Sequence, residues 1–287
     1  MEPTPMRVPG ADGLSLNLLQ WSSEGMPLLF LHGFDNDAHV WDEFAPTLAP
    51  YYRTLALDHR GHGDSDWDPQ GRYDHETMAR DVEAVLDSLG IKRVALVGHS
   101  LGGRVSMHFA GRNPERMAGL VIVDCGPDLD ARGVTRIQLE TQTAEPSFPS
   151  VEAFEDILAR RYPEAATTTL ARLARHWLRR RPDGRFEPKT DSKFGRGRAA
   201  ASAEQMQDWA RAEAARLWSA LERTPCPTLV IRGAASDVFD PDTAERMADE
   251  ALPNGRLEII ARAGHSVMLD NPEAFRDSLV RFVLGDE

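Results

Sequence analysis

The chain has 287 residues, of which 41% are hydrophobic and 27% charged, a balance that suits one large domain with an insertion and excludes a disordered chain. A net charge of −12 repels nucleic-acid phosphates and anionic membrane surfaces, so neither is an expected partner. The two cysteines, Cys125 and Cys226, stand in no CxxC or Cys/His spacing, which excludes a disulfide framework and a structural zinc finger.

Residues 1–13 lack a basic stretch followed by an apolar one, and no apolar run approaches the roughly 20 residues of a membrane span; a cytoplasmic protein is expected. Next, Leu14, Leu16 and Leu18 alternate with Ser15 and Asn17, the pattern of a half-exposed antiparallel strand opening a sheet. Short apolar runs follow. Leu28-Leu29-Phe30-Leu31 ends at His32-Gly33, and Thr54-Leu55-Ala56-Leu57 ends at Asp58. Over 74–90, Met78, Val82, Val85, Leu86 and Leu89 recur at three- and four-residue intervals, with Asp74 placed to cap a helix and Gly90 to end it. Val94-Ala95-Leu96-Val97 then ends at Gly98, and Leu120-Val121-Ile122-Val123 at Asp124.

From 127 to 222 the strand-like runs stop, and the text turns helical and rich in arginine. Its 16 basic and 15 acidic residues give it no net negative charge of its own, so the net negative charge belongs to the rest of the chain. The runs resume with Thr228-Leu229-Val230-Ile231 before Gly233, then a helix over 244–252, a strand over 257–260 and a helix over 272–284. This alternation predicts an α/β fold: a mostly parallel sheet flanked by helices. Residues 1–126 and 223–287 would form the core domain, and 127–222 an inserted helical cap. The loosest stretch is 181–198, with Pro182, Gly184, Pro188, Gly195 and Gly197, where mobility is expected.

Gly98-His99-Ser100-Leu101-Gly102-Gly103 joins a predicted strand directly to a predicted helix. Glycines at such a corner allow a tight turn that lifts a serine hydroxyl above the sheet edge, and the amides opening the helix point at the same place. With Leu31-His32-Gly33-Phe34, with Asp58-His59-Arg60-Gly61-His62-Gly63-Asp64-Ser65, and with Ala263-Gly264-His265 followed by Asp270-Asn271-Pro272-Glu273, the sequence resembles the α/β-hydrolases over nearly all of the chain outside 127–222. The resemblance implies a catalytic triad in the order serine, acid, histidine, with Ser100 as nucleophile and His265 as base. For the acid it points to Asp237, in the short loop after the strand 228–231. Asp240 is an alternative, although it also suits a helix cap before Pro241, and Asp124 is another, at a strand end that some members of the family use. The oxyanion hole needs two backbone donors, one after the nucleophile and one in the loop after the strand 28–31; those are Leu101 and Phe34.

Asp58, His59, His62, Asp64 and Asp66 lie close enough in sequence to raise metal binding, but the interleaved Arg60, Gly61 and Gly63 resemble a structural turn of the family, and no metal or cofactor is expected. The arginines of 172–185, with Trp177, read as a solvated helix face. A serine nucleophile disfavours the aspartyl-ester route of related dehalogenases and epoxide hydrolases. The expected activity is hydrolysis of a small carboxylic ester or lactone through an acyl-enzyme. The alternatives are a carbon–carbon (diketone) hydrolase, a haloperoxidase-like enzyme, a lyase of the menaquinone-pathway type (faintly echoed by Gly102-Gly103-Arg104), or a small-ligand receptor.

Overall fold

The apolar runs become strands because both of their faces find cover. Leu28 and Phe30 enter one buried cluster while Leu29 and Leu31 enter the other, and Val121 and Val123 alternate in the same way with Leu120 and Ile122. The computed structural model describes residues 1–194 and 202–285.

The strands are β1 (Thr4–Pro9), β2 (Ser15–Gln20), β3 (Met26–Leu31), β4 (Tyr52–Leu57), β5 (Val94–His99) and β6 (Met117–Val123). Between them lie α1 (Ala45–Leu48), α2 (His75–Ser88) and α3 (Leu101–Arg112). After β6 come α4 (Ala131–Thr143), α5 (Val151–Arg161), α6 (Thr167–Trp177), a small hairpin of β7 (Leu178–Arg180) and β8 (Phe186–Pro188), and α7 (Ala203–Glu222). The chain closes with β9 (Thr228–Gly233), α8 (Pro241–Arg246), β10 (Gly255–Ile260), α9 (Val267–Asp270) and α10 (Pro272–Leu284). Eight strands form one sheet in the order β1-β2-β4-β3-β5-β6-β9-β10, antiparallel at the β1/β2 and β2/β4 pairings and parallel elsewhere. The expected architecture is therefore present.

The local signals account for many of the element ends. Asp74 accepts from the Thr77 amide at 2.8 Å to start α2, and Gly90 follows its end at φ +67°. Asp240 accepts from the Thr243 amide at 3.1 Å and caps α8, the structural alternative weighed for it. Two expectations change. β2 is buried through its centre rather than half-exposed, because Leu16 and Leu18 enter the cluster on one face and Leu19 that on the other, and the Asn17 side chain turns inward to Asp58 at 2.9 Å. The segment 127–222 contains the β7/β8 hairpin, bridged to Phe148, where no strand was foreseen.

At its far end, α7 packs on α3, and Leu217 and Leu221 belong to the cluster that covers one sheet face with α2 and α3. The boundary drawn at 222 thus falls after residues that serve the core. α5 and α6 contribute Leu158, Leu173 and Trp177 to the cluster on the other face, beside Trp41 and Phe44. The expected mobility concerned 181–198, where 181–188 form the hairpin turn and β8, and 195–198 lie outside the described residues. No described helix is long and apolar enough to cross a membrane.

Candidate active site

Ser100 stands between the end of β5 and the start of α3 at φ 51°, ψ −112°, a strained region for a residue with a Cβ. The glycines around it make the corner possible. A Cβ on Gly98 would lie 2.4 Å from the Gly102 carbonyl oxygen, and one on Gly102 would lie 2.3 Å from that of Leu31. The Ser100 amide donates to the Val123 carbonyl and the Gly102 amide to that of His32, so the turn is tied to the ends of both neighbouring strands.

The Ser100 hydroxyl donates to His265 Nε2 at 3.0 Å, and His265 Nδ1–H donates to Asp124 Oδ2 at 2.8 Å. Asp124, at the end of β6, is fully buried at φ 50°. Its Oδ1 accepts the Gly233 amide at 2.8 Å, and its Oδ2 also accepts the Ser236 hydroxyl at 2.5 Å. Asp237 does not occupy the place expected of it. Its carboxylate forms a bidentate pair with Arg136 of α4, at 2.7 and 2.8 Å, and that guanidinium holds it below the usual carboxylate range. The carboxylate that pairs with His265 is therefore Asp124 and not Asp237, the residue expected there. Both positions satisfy the order serine, acid, histidine, and only the three-dimensional path of the loop after β9 separates them.

The histidine loop has further supports. Asp270 accepts the Gly264 amide at 2.8 Å, and a Cβ on Gly233 would meet the Gly264 carbonyl oxygen at 2.1 Å. His99 Nε2–H donates to the His265 carbonyl at 2.9 Å. Burial, reinforced by the neighbouring His265, pushes His99 down to about 3, so it stays neutral. His99 stands immediately before Ser100 in the sequence, which is the signal that links it to the elbow.

Gly33 brings the loop after β3 against Ser100: a Cβ there would lie 3.4 Å from Ser100 Cβ. That loop carries Phe34. His32, which burial lowers to about 4, holds the loop by donating from Nδ1 to the Gly33 carbonyl and accepting the His59 amide at Nε2. Leu101 opens α3 directly after Ser100.

Phe34, Ser100, His265, Arg136, Arg161 and Tyr162 are among the residues around a cavity of about 410 Å³. A ladder of charges crosses its wall: Asp237 to Arg136, Arg136 to Glu140 at 2.9 Å, Glu140 to Arg161 at 3.0 Å, and Arg161 to Asp35 at 3.8 Å. Elsewhere, in the turn suspected of binding metal, the carboxylate of Asp58 is taken up by neighbouring donors, while the His59 ring nitrogens and His62 Nε2 are buried without a hydrogen-bond partner. Asp58 accepts from Asn17, the Ala38 amide and the Asp64 amide, while buried Arg60 pairs with Asp81 and Asp68. The 172–185 arginines are not a single solvated face: Arg172 reaches Glu43, Arg179 lies over the Trp67 ring, and Trp177 donates to Asp37.

A family model described as the alpha/beta hydrolase fold matches residues 26–272. An esterase of Mycobacterium tuberculosis is 29% identical over 94% of this chain and 86% of its own. A 2-(acetamidomethylene)succinate hydrolase of Mesorhizobium japonicum is 26% identical, covering 94% of this chain and 92% of its own. The crystal structure of an alpha/beta hydrolase from Novosphingobium aromaticivorans superposes with a TM-score of 0.82 at 28% identity, over 99% of this chain and 98% of that one.

Proposed function

We propose, for a chain that belongs to the α/β-hydrolase fold family and is a hydrolase, that it cleaves a small carboxylic ester or lactone through an acyl-enzyme on Ser100. The observation that carries this reading is the unbroken relay from Ser100 Oγ to His265 to buried Asp124, at 3.0 and 2.8 Å. A serine hydroxyl is a weak nucleophile until a base accepts its proton. His265 Nε2 takes that proton as Oγ attacks the carbonyl carbon, and the Asp124 carboxylate holds the Nδ1–H tautomer and stabilises the imidazolium. The amides of Leu101 and Phe34 donate to the developing oxyanion, with the first turn of α3 adding its dipole. Collapse expels the alcohol, which leaves with the proton from His265; water, activated by the same imidazole, then releases the acid. The steps use side chains and water, and no cofactor enters them.

α4 and α5 supply Arg136, Ile137, Glu140, Arg160 and Arg161 to the cavity, and we read them as the cap over the scissile bond. Their charge favours a second reading of the substrate. Among the described residues no carboxylate pairs with Arg160, and the succinate-derived substrate named for the Mesorhizobium hydrolase would present carboxylates to such a wall. Incubation with a phosphonate followed by peptide mapping, together with turnover of p-nitrophenyl esters with neutral and carboxylate-bearing acyl groups, tests both. An adduct on Ser100 and ester turnover are expected. An adduct elsewhere, or no turnover of any ester or lactone, would reject the reading.

A further inference from the structure

Away from the catalytic cavity, three helices bring two imidazoles and a carboxylate to one point. His75 opens α2, His108 lies on α3 and Glu213 on α7. Glu213 Oε1 accepts from His75 Nδ1 at 2.7 Å and from His108 Nε2 at 2.8 Å, and the three ligand atoms all lie within 4.8 Å of one another. His108 and Glu213 are largely buried, and His75 is one-quarter exposed. We propose that His75, His108 and Glu213 form a binding site for a divalent transition-metal ion, Zn²⁺ in the first instance, which staples α7 to α2 and α3.

The donor set is two neutral nitrogens and one carboxylate oxygen, with a fourth position open to water, a combination suited to zinc. Zinc holds such atoms at about 2.0–2.1 Å, which separates tetrahedral ligands by about 3.3 Å. The two Glu213–imidazole spacings need a retreat of the carboxylate oxygen by roughly half an ångström, as the cation replaces the two bridging protons, and the two imidazole nitrogens, within 4.8 Å of one another, close to a similar spacing. Two cations face the site: Arg104, 3.7 Å from Glu213 Oε1 and engaged with the Gly126 and Pro127 carbonyls, and Arg216, 3.8 Å from Oε2. They moderate the affinity without blocking the imidazoles. A second group, His39, Asp42 and His176, is less suited. Its two rings stack with centroids only 3.5 Å apart, too close to admit an ion between them, whereas the rings of His75 and His108 stand 6.0 Å apart.

Placement gives the site its consequence. α7 is the helix by which the chain returns from 127–222 to β9, and a metal bridge at its middle would lock that return against the helices beneath the sheet.

The test is equilibrium dialysis of chelator-treated full-length protein against Zn²⁺, with Co²⁺ absorption as a reporter of coordination and thermal unfolding read in parallel. Wild type is expected to retain one equivalent and to unfold at higher temperature with metal. His108→Ala and Glu213→Gln should each bind at least ~100-fold more weakly, since even the outer partners of a metal ligand are worth 10–100-fold. His75→Ala, at a partly exposed helix start, provides a third variant should either of those fail to fold by circular dichroism. His176→Ala and His265→Ala should bind as wild type does. Absence of Zn²⁺ retention by wild type, unchanged affinity in folded Glu213→Gln or His75→Ala, or loss of binding in His176→Ala or His265→Ala would each overturn the site.

Discussion

Asp124→Asn should be far more damaging than Asp237→Asn, and the hydrogen bonds around Asp124 show why. Its Oδ1 receives the Gly233 amide, while Oδ2 receives both Ser236 and His265. An asparagine that keeps its oxygen on Gly233 turns its NH₂ toward His265 Nδ1. The imidazole must then carry its proton on Nε2, where it cannot accept from Ser100. The flipped asparagine sets NH₂ against the Gly233 N–H and strands a buried amide, at a cost of about 1–3 kcal/mol. The first arrangement dominates, and an orienting acid lost in this way lowers kcat by about 10⁴-fold, or about 5.5 kcal/mol of barrier. Asp237 pairs with a half-exposed Arg136, so Asp237→Asn should stay within roughly tenfold of wild type, in line with the modest worth of exposed ion pairs. The assay is p-nitrophenyl ester turnover by both variants, after circular dichroism confirms their folding. A larger loss in Asp237→Asn than in Asp124→Asn would refute the assignment of the acid.

Ser100→Gly should abolish turnover yet raise stability by about 1 kcal/mol, since glycine tolerates the positive φ at the elbow; denaturant unfolding showing a less stable variant would contradict the strain. Gly102→Ala should destabilise by about 3 kcal/mol or more, because its Cβ would strike a backbone carbonyl that cannot swing away, and wild-type melting would speak against the close packing. His62 is buried and lowered by desolvation to about 3, below its unfolded value. Its contribution is therefore fully present above about pH 6.5 and is lost as pH falls toward 3. His62→Phe should flatten the stability profile over that window by ~1.4 kcal/mol per pH unit, and parallel profiles in urea titrations would count against a neutral buried imidazole. His99→Gln, which keeps a donor for the His265 carbonyl, should retain more kcat than His99→Ala while leaving the acidic limb of the pH–rate profile in place; equal losses would remove His99 as a positioning residue.

The sheet was legible in the sequence because burial on both faces demands uninterrupted apolar runs, and each of those runs stops where the chain turns out of the sheet. The elbow was legible for a related reason. Gly98, Gly102 and Gly103 are required by contacts within a few residues and with the adjoining strands, so a short motif carries the geometry. β1 was not foreseen, since Pro5, Arg7 and Pro9 break the apolar pattern and the strand is stabilised by pairing with β2 at the sheet edge. The β7/β8 hairpin has no signature in the sequence because three-residue strands leave no periodicity, and the pairing with Phe148 comes from a distant loop.

The acid depended wholly on tertiary structure. Asp124 and Asp237 each follow a parallel strand, in an order compatible with Ser100 and His265, and the family resemblance favours Asp237. What decided between them was the packing of α4, which brings Arg136 to Asp237 and holds its loop outward, while the end of β6 delivers Asp124, buried and triply hydrogen-bonded, to the imidazole. Short-range sterics and strand burial are written locally in the chain; the pairing of a carboxylate with one of two cationic or proton-donating partners is settled only where distant segments meet.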